Sequence, residues 1–148
     1  MDTQMLTNMI ELLVGQQLRY GLKSPDMDLY DLGFGNEIVF INSNGEQQEA
    51  YQYTLHLVCG IFIYWKDGHK EEFYGDTSPQ VFQQSIQQLI GEEVRRVALS
   101  DKNDLWLDFR RCHIVIVTYE NNDESWRLFT PGVDSSHLVA SDRWLHQE

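Results

Sequence analysis

The stretch IELLVGQQLR, from Ile10 to Arg19, returns as IQQLIGEEVR, from Ile86 to Arg95. Ile10, Leu13, Val14, Gly15, Leu18 and Arg19 match Ile86, Leu89, Ile90, Gly91, Val94 and Arg95 at a constant offset of 76 residues. In both copies an apolar stripe at helical spacing ends on a glycine and gives way to a segment of strand character. Met5, Leu6, Met9, Ile10, Leu12 and Leu13 carry the first stripe over residues 3–14, with Asp2 or Thr3 placed to cap it. In the second copy Ser78 is the cap, and Pro79 occupies the first turn, where its missing N–H costs no bond. Val81, Phe82, Ile86, Leu89 and Ile90 form its stripe. Gly15 and Gly91 fall where helices end on a left-handed residue, so both are expected at positive φ. Helices of about a dozen residues are marginal alone in water, so each must pack on something else.

Working outward, that something is sheet. LYDLGF (29–34) faces LWLDF (105–109) with one residue lost, and EIVFIN (37–42) faces HIVIVT (113–118). The order of elements is therefore shared, which predicts an internal duplication with halves 1–75 and 76–148 inside a single domain, 1–148. On that reading residues 10–42 and 86–118 superpose as helix, turn and three strands. QQLRYGLK, MDLYDLGF, EIVFIN, residues 53–59, residues 61–65 and EEFYG read as the strands of the first half. Asn44-Gly45 and Asp67-Gly68 mark its turns. RRVALS, DLWLDF, HIVIVT, SWRLF and HLVAS read as the strands of the second. Short turns join them, so the pairing is antiparallel. The expected class is α+β and β-rich, with mainly antiparallel sheets and two short helices, each opening a meander.

A chain of 148 residues can bury enough surface to fold without metal or disulfide. Its 42% hydrophobic and 12% aromatic content excludes intrinsic disorder. With 23 Asp+Glu against 11 Lys+Arg the net charge is -12, which argues against a nucleic-acid binder or a protein held on an anionic membrane. No apolar run approaches the ~18 residues of a membrane span, and no basic n-region opens the chain. Cys59 and Cys112 make no disulfide framework. A cytoplasmic protein with reduced thiols is expected.

Catalytic and metal-binding patterns are weak. His56-x-x-Cys59 and Cys112-His113 are ligand types that zinc accepts. On strands, however, the members of each pair point to opposite faces, so no metal and no cofactor are expected. His69, His137 and His146 are scattered along the chain. There is no G-x-S-x-G elbow. The paired acids Asp26 and Asp28, Glu71 and Glu72, Glu92 and Glu93, and Asp123 and Glu124 read as solvated turn residues rather than a glycosidase pair. Asp26-x-Asp28-x-x-Asp31 lacks the glycine and closing Glu of a calcium loop. Gly33-x-Gly35 lacks the third glycine and the helix of a dinucleotide site. No catalytic residue is expected, and the chain reads as not an enzyme.

Four Trp, seven Tyr and seven Phe say more. An acidic body with exposed aromatics is suited to seizing a basic protein, because charge speeds encounter and aromatics hold the complex. The acids that lie in turns beside aromatics, Glu46, Glu49, Asp67, Glu120, Asp123 and Glu124, are the expected contact residues. Two other classes compete: a small-molecule-binding or enzymatic domain with a cleft between the halves, and a nucleic-acid mimic whose spaced carboxylates imitate phosphates.

One resemblance sharpens the first reading. Gly91, Val94, Asp104, Leu105, Leu107 and Phe109, followed by Glu124, Trp126, Arg127, Leu128, Phe129, Pro131, Gly132, His137 and Val139, resemble the closing half of a family of small bacterial proteins with an E-x-W-R-L-F segment. Those proteins are similar in size, acidity and cytoplasmic character to immunity proteins of polymorphic toxin systems. The resemblance implies a non-enzymatic protein that neutralises a toxin by occluding a basic surface, and it transfers no catalytic residue. Trp126 and Arg127 are expected to be structural, with the ring packed in the sheet and the guanidinium paired to Asp108 or Glu124.

Overall fold

A computed structural model of the protein describes residues 3–25, 27–58, 60–119, 123–131 and 137–148, with side chains of the first helix from Thr7 onward. Helix α1 (Thr3–Ile10) runs into a single 3-10 turn, Glu11–Leu13, and helix α2 (Pro79–Ile86) into the matching turn Gln87–Leu89. The boundaries of all four keep the 76-residue offset. Ser78 caps α2, its Oγ accepting the Val81 N–H at 3.3 Å. Gly15 (φ 88°) and Gly91 (φ 92°) follow the turns in the left-handed region, as the end of each stripe requires. Of the two expected caps for α1, Asp2 lies outside the described residues and Thr3 is the first helical residue. The second stripe is narrower than read: Phe82, Ile86 and Leu89 are fully buried, while Val81 is half exposed, because α2 is covered along one face only.

Among the described residues eleven strands follow in the order β1 (Leu18–Lys23), β2 (Tyr30–Ile41), β3 (Gln47–Leu57), β4 (Gly60–Trp65), β5 (Lys70–Phe73), β6 (Arg96–Leu99), β7 (Leu105–Asp108), β8 (Cys112–Val117), β9 (Trp126–Phe129), β10 (Leu138–Ala140) and β11 (Leu145–Gln147). They form a six-stranded sheet, β1-β2-β3-β9-β10-β11, and a five-stranded sheet, β5-β4-β8-β7-β6. Every pairing is antiparallel, so the class is α+β with two sheets.

Each half starts one sheet and finishes the other. The first half contributes β1, β2 and β3 to the larger sheet and then sends β4 and β5 to pair on β8. The second contributes β6, β7 and β8 to the smaller sheet and sends β9 and β10 to pair on β3. The strand order β1-β2-β3-β9-β10 thus mirrors β6-β7-β8-β4-β5, and β11 is an addition. This exchange is why no linker divides the chain.

The expected superposition of 10–42 on 86–118 as three strands does not hold. EIVFIN continues β2 beyond a bulge between Phe34 and Glu37, so it forms no separate strand. Gly35, at φ 87°, supplies the left-handed residue that lets the chain run on. By sheet order the counterpart of β8 is β3. Strand β11 has no signature in the sequence, because its three residues, LHQ, carry one apolar side chain.

The inward rows of both sheets share one core. Tyr30, Leu32 and Phe34 lie beside Leu57, Leu55 and Tyr53, and Trp126 and Leu128 complete the row on β9. Leu105 and Leu107 lie beside Ile116 and Ile114, which in turn meet Ile61 and Ile63. Phe82 of α2 joins the sheets, with ring centroids 4.8 Å from Tyr30 and 5.2 Å from Phe73. Helix α2 packs on β1 at Gly21, where an added Cβ would meet Ile86 Cγ1 at 2.7 Å. Burial pushes the Tyr30 hydroxyl up to about 12, and it donates to the Tyr74 carbonyl at 2.6 Å.

Candidate functional site

Strands β2 and β3 outrun their neighbours. β1 pairs with β2 only over residues 30–34, and β9 with β3 only over residues 54–57. β2 and β3 pair with each other as far as Ile41 and Gln47. Residues 37–51 therefore form a two-stranded arm beyond the sheet. Its turn is held by Asn42, whose Oδ1 accepts the amides of Asn44 (3.0 Å) and Glu46 (2.9 Å), and by Gly45 at φ 79°. Its base is held by Tyr51, whose ring lies 5.3 Å from Tyr20 and 5.4 Å beneath the Arg19 guanidinium.

One face of the arm carries Glu37, Val39 and Ile41 opposite Tyr51, Glu49 and Gln47, and the other carries Ile38 and Phe40 opposite Ala50 and Gln48. Val39 is 60% exposed and Ile41 64%. Residues 24–65 contain no Lys or Arg, while Asp26, Asp28, Asp31, Glu37, Glu46 and Glu49 all fall there. Among the described residues none of Glu37, Glu46 and Glu49 stands in an ion pair. The arm is thus apolar and negatively charged together.

The other expected contact acids lie elsewhere. Asp67 sits in the β4–β5 turn, where it accepts the His69 amide at 3.0 Å and faces His69 Nδ1 at 2.5 Å. The backbone bond first, and the ring second, hold its carboxyl below the usual range. Lys66, Arg110 and Arg111 line the same cavity of about 340 Å³, so its field is mixed. Glu124 binds Arg127 through both oxygens, at 3.1 and 2.7 Å. Asp123 is exposed beside it, and Glu120 lies outside the described residues. Glu124 adjoins the start of β9, at the end of β3 opposite the arm. The five described acids of this set therefore do not make one face. Adjacency to aromatics in sequence says nothing about which cation the fold brings to each acid.

His56, His137 and His146, remote in sequence, gather on the outer face of the larger sheet, whereas His69 stays in the β4–β5 turn. Asp31 Oδ1 is shut off from solvent and makes no hydrogen bond of good geometry, and His56 Nε2 is its ion-pair partner at 2.9 Å. The His56 ring meets Phe129 edge-on at 4.8 Å, and Phe129 stacks on His137 at 4.7 Å. Arg127 lies 2.7 Å from His137 Nδ1 and 3.3 Å from a Glu148 oxygen. His146 pairs with Glu148 at 3.2 Å and stacks on Trp144. Burial first, and the Arg127 charge second, lower the pKa of His137. Its neutral ring accepts from Arg127 at Nδ1 and keeps the Nε2 proton. The hydrogen bonds of Glu124 raise the Arg127 pKa further. Arg127 takes Glu124 rather than Asp108, which binds Arg96 at 3.2 Å. Trp126 is fully buried and donates to the Asn103 carbonyl at 2.9 Å. The row ties β3, β9, β10 and β11 together with its charges mutually satisfied. The period-two spacing of Arg127 and Phe129 was a signal for it, but the partners lie on strands distant in sequence.

On the smaller sheet Cys112 points into the core and His113 outward, as alternation requires; Cys59 lies outside the described residues. Burial pushes the Cys112 thiol up to about 12. His113 is stacked between Tyr64 (5.0 Å) and Trp106 (5.2 Å). Beside them Arg96, Val97, Ala98 and Asp108 help line an open cavity of about 430 Å³. Between the halves, a polar cavity lined by Gly15, Gln16, Gln17 and Glu93 measures about 230 Å³, below the roughly 300 Å³ at which ligand pockets begin. Among the described residues no three His, Cys, Asp or Glu are placed to hold a metal ion, and no helix is long and apolar enough to cross a membrane. No family model, curated protein or solved structure matches the chain.

Proposed function

We propose that this chain is a non-enzymatic acidic binding protein that captures a basic protein, in the manner of an immunity protein occluding a toxin. The observation that carries this reading is the β2–β3 arm, where uncompensated carboxylates flank exposed branched side chains. Sheet proteins ordinarily blunt such an edge with charged side chains, above all lysine, or with bulges, prolines or cover. Here the arm has no lysine or proline, and the face that carries Val39 and Ile41 is exposed. The saturated charges of the Arg127 row support a structural role for that row and argue against a reactive base.

Charge complementarity acts chiefly on encounter. Affinity capture from the native host, with each captured protein then purified and its kinetics measured, tests the proposal. A basic protein is expected whose association rate falls steeply with salt while its dissociation changes little. Glu46→Lys with Glu49→Lys slows association without lowering stability. A salt-independent association rate, or capture of acidic proteins alone, refutes the reading.

A second reading rests on the Trp106 cavity, whose half-exposed indole (40%) adjoins His113 and the Arg96–Asp108 pair. That arrangement fits a small ligand with one flat apolar face. Quenching of Trp106 fluorescence by a simple sugar or a heterocycle, lost in Trp106→Ala, would favour it.

A further inference from the structure

We infer that the outer edge of β2 in the arm receives an extended strand of the partner, with lysine or arginine on one face and apolar side chains on the other. The inference rests on the acidic-capture reading and deepens it by naming the edge and the kind of segment. Asn42 N donates to the Glu46 carbonyl at 2.9 Å, so residues 42 and 46 form a hydrogen-bonded pair. Antiparallel ladders alternate. Phe40–Gln48 and Ile38–Ala50 therefore bond inward, and the N–H and C=O groups of Glu37, Val39 and Ile41 point away from β3. Among the described residues no strand occupies that side, because β1 stops pairing at Phe34. A row of unpaired backbone groups is a template for one more strand.

The side chains around that row select what can add. On one face Val39 and Ile41 are exposed beside Glu37 and Glu49. A lysine stem covers branched carbons while its ammonium reaches a carboxylate. On the other face the half-buried Ile38 and Phe40 offer apolar contact without charge. An alternating basic and apolar strand satisfies both faces at once. A second copy of this chain does not, since its own arm carries no Lys or Arg to meet Glu37 and Glu49.

The test uses the full chain, labelled with nitrogen-15, and a blocked heptapeptide in which Lys alternates with Val or Ile. Its control is the same peptide N-methylated on the amides of one edge and then of the other, which keeps every side chain and charge. The unmodified peptide is expected to bind at low ionic strength at least about tenfold more tightly than the form methylated on the docking edge. Amide shifts and slowed exchange should centre on Glu37, Val39 and Ile41. Val39→Pro removes one outward amide and weakens binding. Glu37→Gln with Glu49→Gln, which leaves the backbone edge intact, weakens it and reduces its salt dependence. Equal binding of methylated and unmodified peptides overturns strand addition while leaving charge capture standing. Equal binding of a Glu-and-Val peptide overturns it, as does the absence of binding. Concentration-dependent dimerisation of the free chain, lost in Ile41→Lys, assigns the edge to a second copy and overturns it too.

Discussion

Gln17 pairs with Glu93 in an antiparallel bridge outside the named strands, and the two residues are 76 positions apart. The bonds around them repeat under the same offset. Gly15 N donates to Val94 O at 2.8 Å, and Gly91 N to Leu18 O at 2.7 Å. Leu18 N donates to Glu92 O, and Val94 N to Gln16 O, each at 2.9 Å. Exchanging the halves maps each bond onto another and the bridge onto itself, which is the pattern of a local two-fold axis between Gln17 and Glu93. The symmetry is one of backbone and topology. We propose duplication of an ancestral helix-and-meander unit as its origin.

The glycines flanking this seam should respond alike. Neither Gly15 nor Gly91 has an atom within 4 Å of where a Cβ would stand, so alanine there meets only the left-handed backbone. Gly15→Ala and Gly91→Ala should each lose about 1–2 kcal/mol. Asparagine should lose less at both. Urea midpoints with unchanged slopes check this, and a loss at one site alone would break the equivalence.

Gly21→Ala should fail for a different reason. Its Cβ would meet Ile86 Cγ1 at 2.7 Å and Leu32 Cδ2 at 3.1 Å. Overpacking of this kind costs about 1–3 kcal/mol. Ile86→Ala opens the space, so the double variant should be more stable than the two single losses add to. A strictly additive double-mutant cycle would place the α2–β1 contact elsewhere.

Asn103 bridges the β6–β7 turn to the C-terminal hairpin. It stands at φ 65°, its Nδ2 donates to Ser141 O (3.0 Å) and Trp144 O (3.1 Å), and its carbonyl accepts from Trp126. Asn103→Ala loses both side-chain bonds and should cost about 2–3 kcal/mol. Asn103→Gly relieves the backbone without restoring them and should recover part of that loss. Thermal unfolding of the three proteins gives the order.

Stability should fall as pH drops through the ordinary histidine value of 6.5. The folded state holds His137 below that value, so the unfolded chain binds the proton first. Its contribution is fully present above the unfolded pKa and is lost as pH falls toward the folded one. Glu148, also lowered, loses its contribution at more acid pH. His137→Asn should flatten the urea midpoint between about pH 7 and 5. An unchanged slope would mean that another group carries it.

What was legible before the structure was local. The stripe that ends at Gly91, the Ser78 cap with Pro79 behind it and the Asn44-Gly45 turn each lie within a few residues, and near-neighbour sterics and hydrogen bonds decide them. Antiparallel pairing followed from turns too short to cross over. Glu46 reads as a solvated turn acid and is exposed there, whereas Glu49, read the same way, lies within β3 opposite Val39.

Partnerships between distant segments were decided by tertiary structure alone. EIVFIN reads as a third strand because its apolar run is strand-sized, and only pairing with residues 47–51 shows it to be an extension of β2 into an arm. Glu124 reads both as a contact acid and as a partner of Arg127; the fold gives it to Arg127 and brings the remote Glu148 to the same guanidinium. His56 and His137, remote in sequence, share Phe129 only because β3, β9 and β10 are neighbours. Composition and periodicity determine that strands form and which face is buried. Which strands adjoin depends on the reciprocal exchange of hairpins between the halves, a long-range choice governed by the common core around Phe82 and by the seam at Gln17 and Glu93.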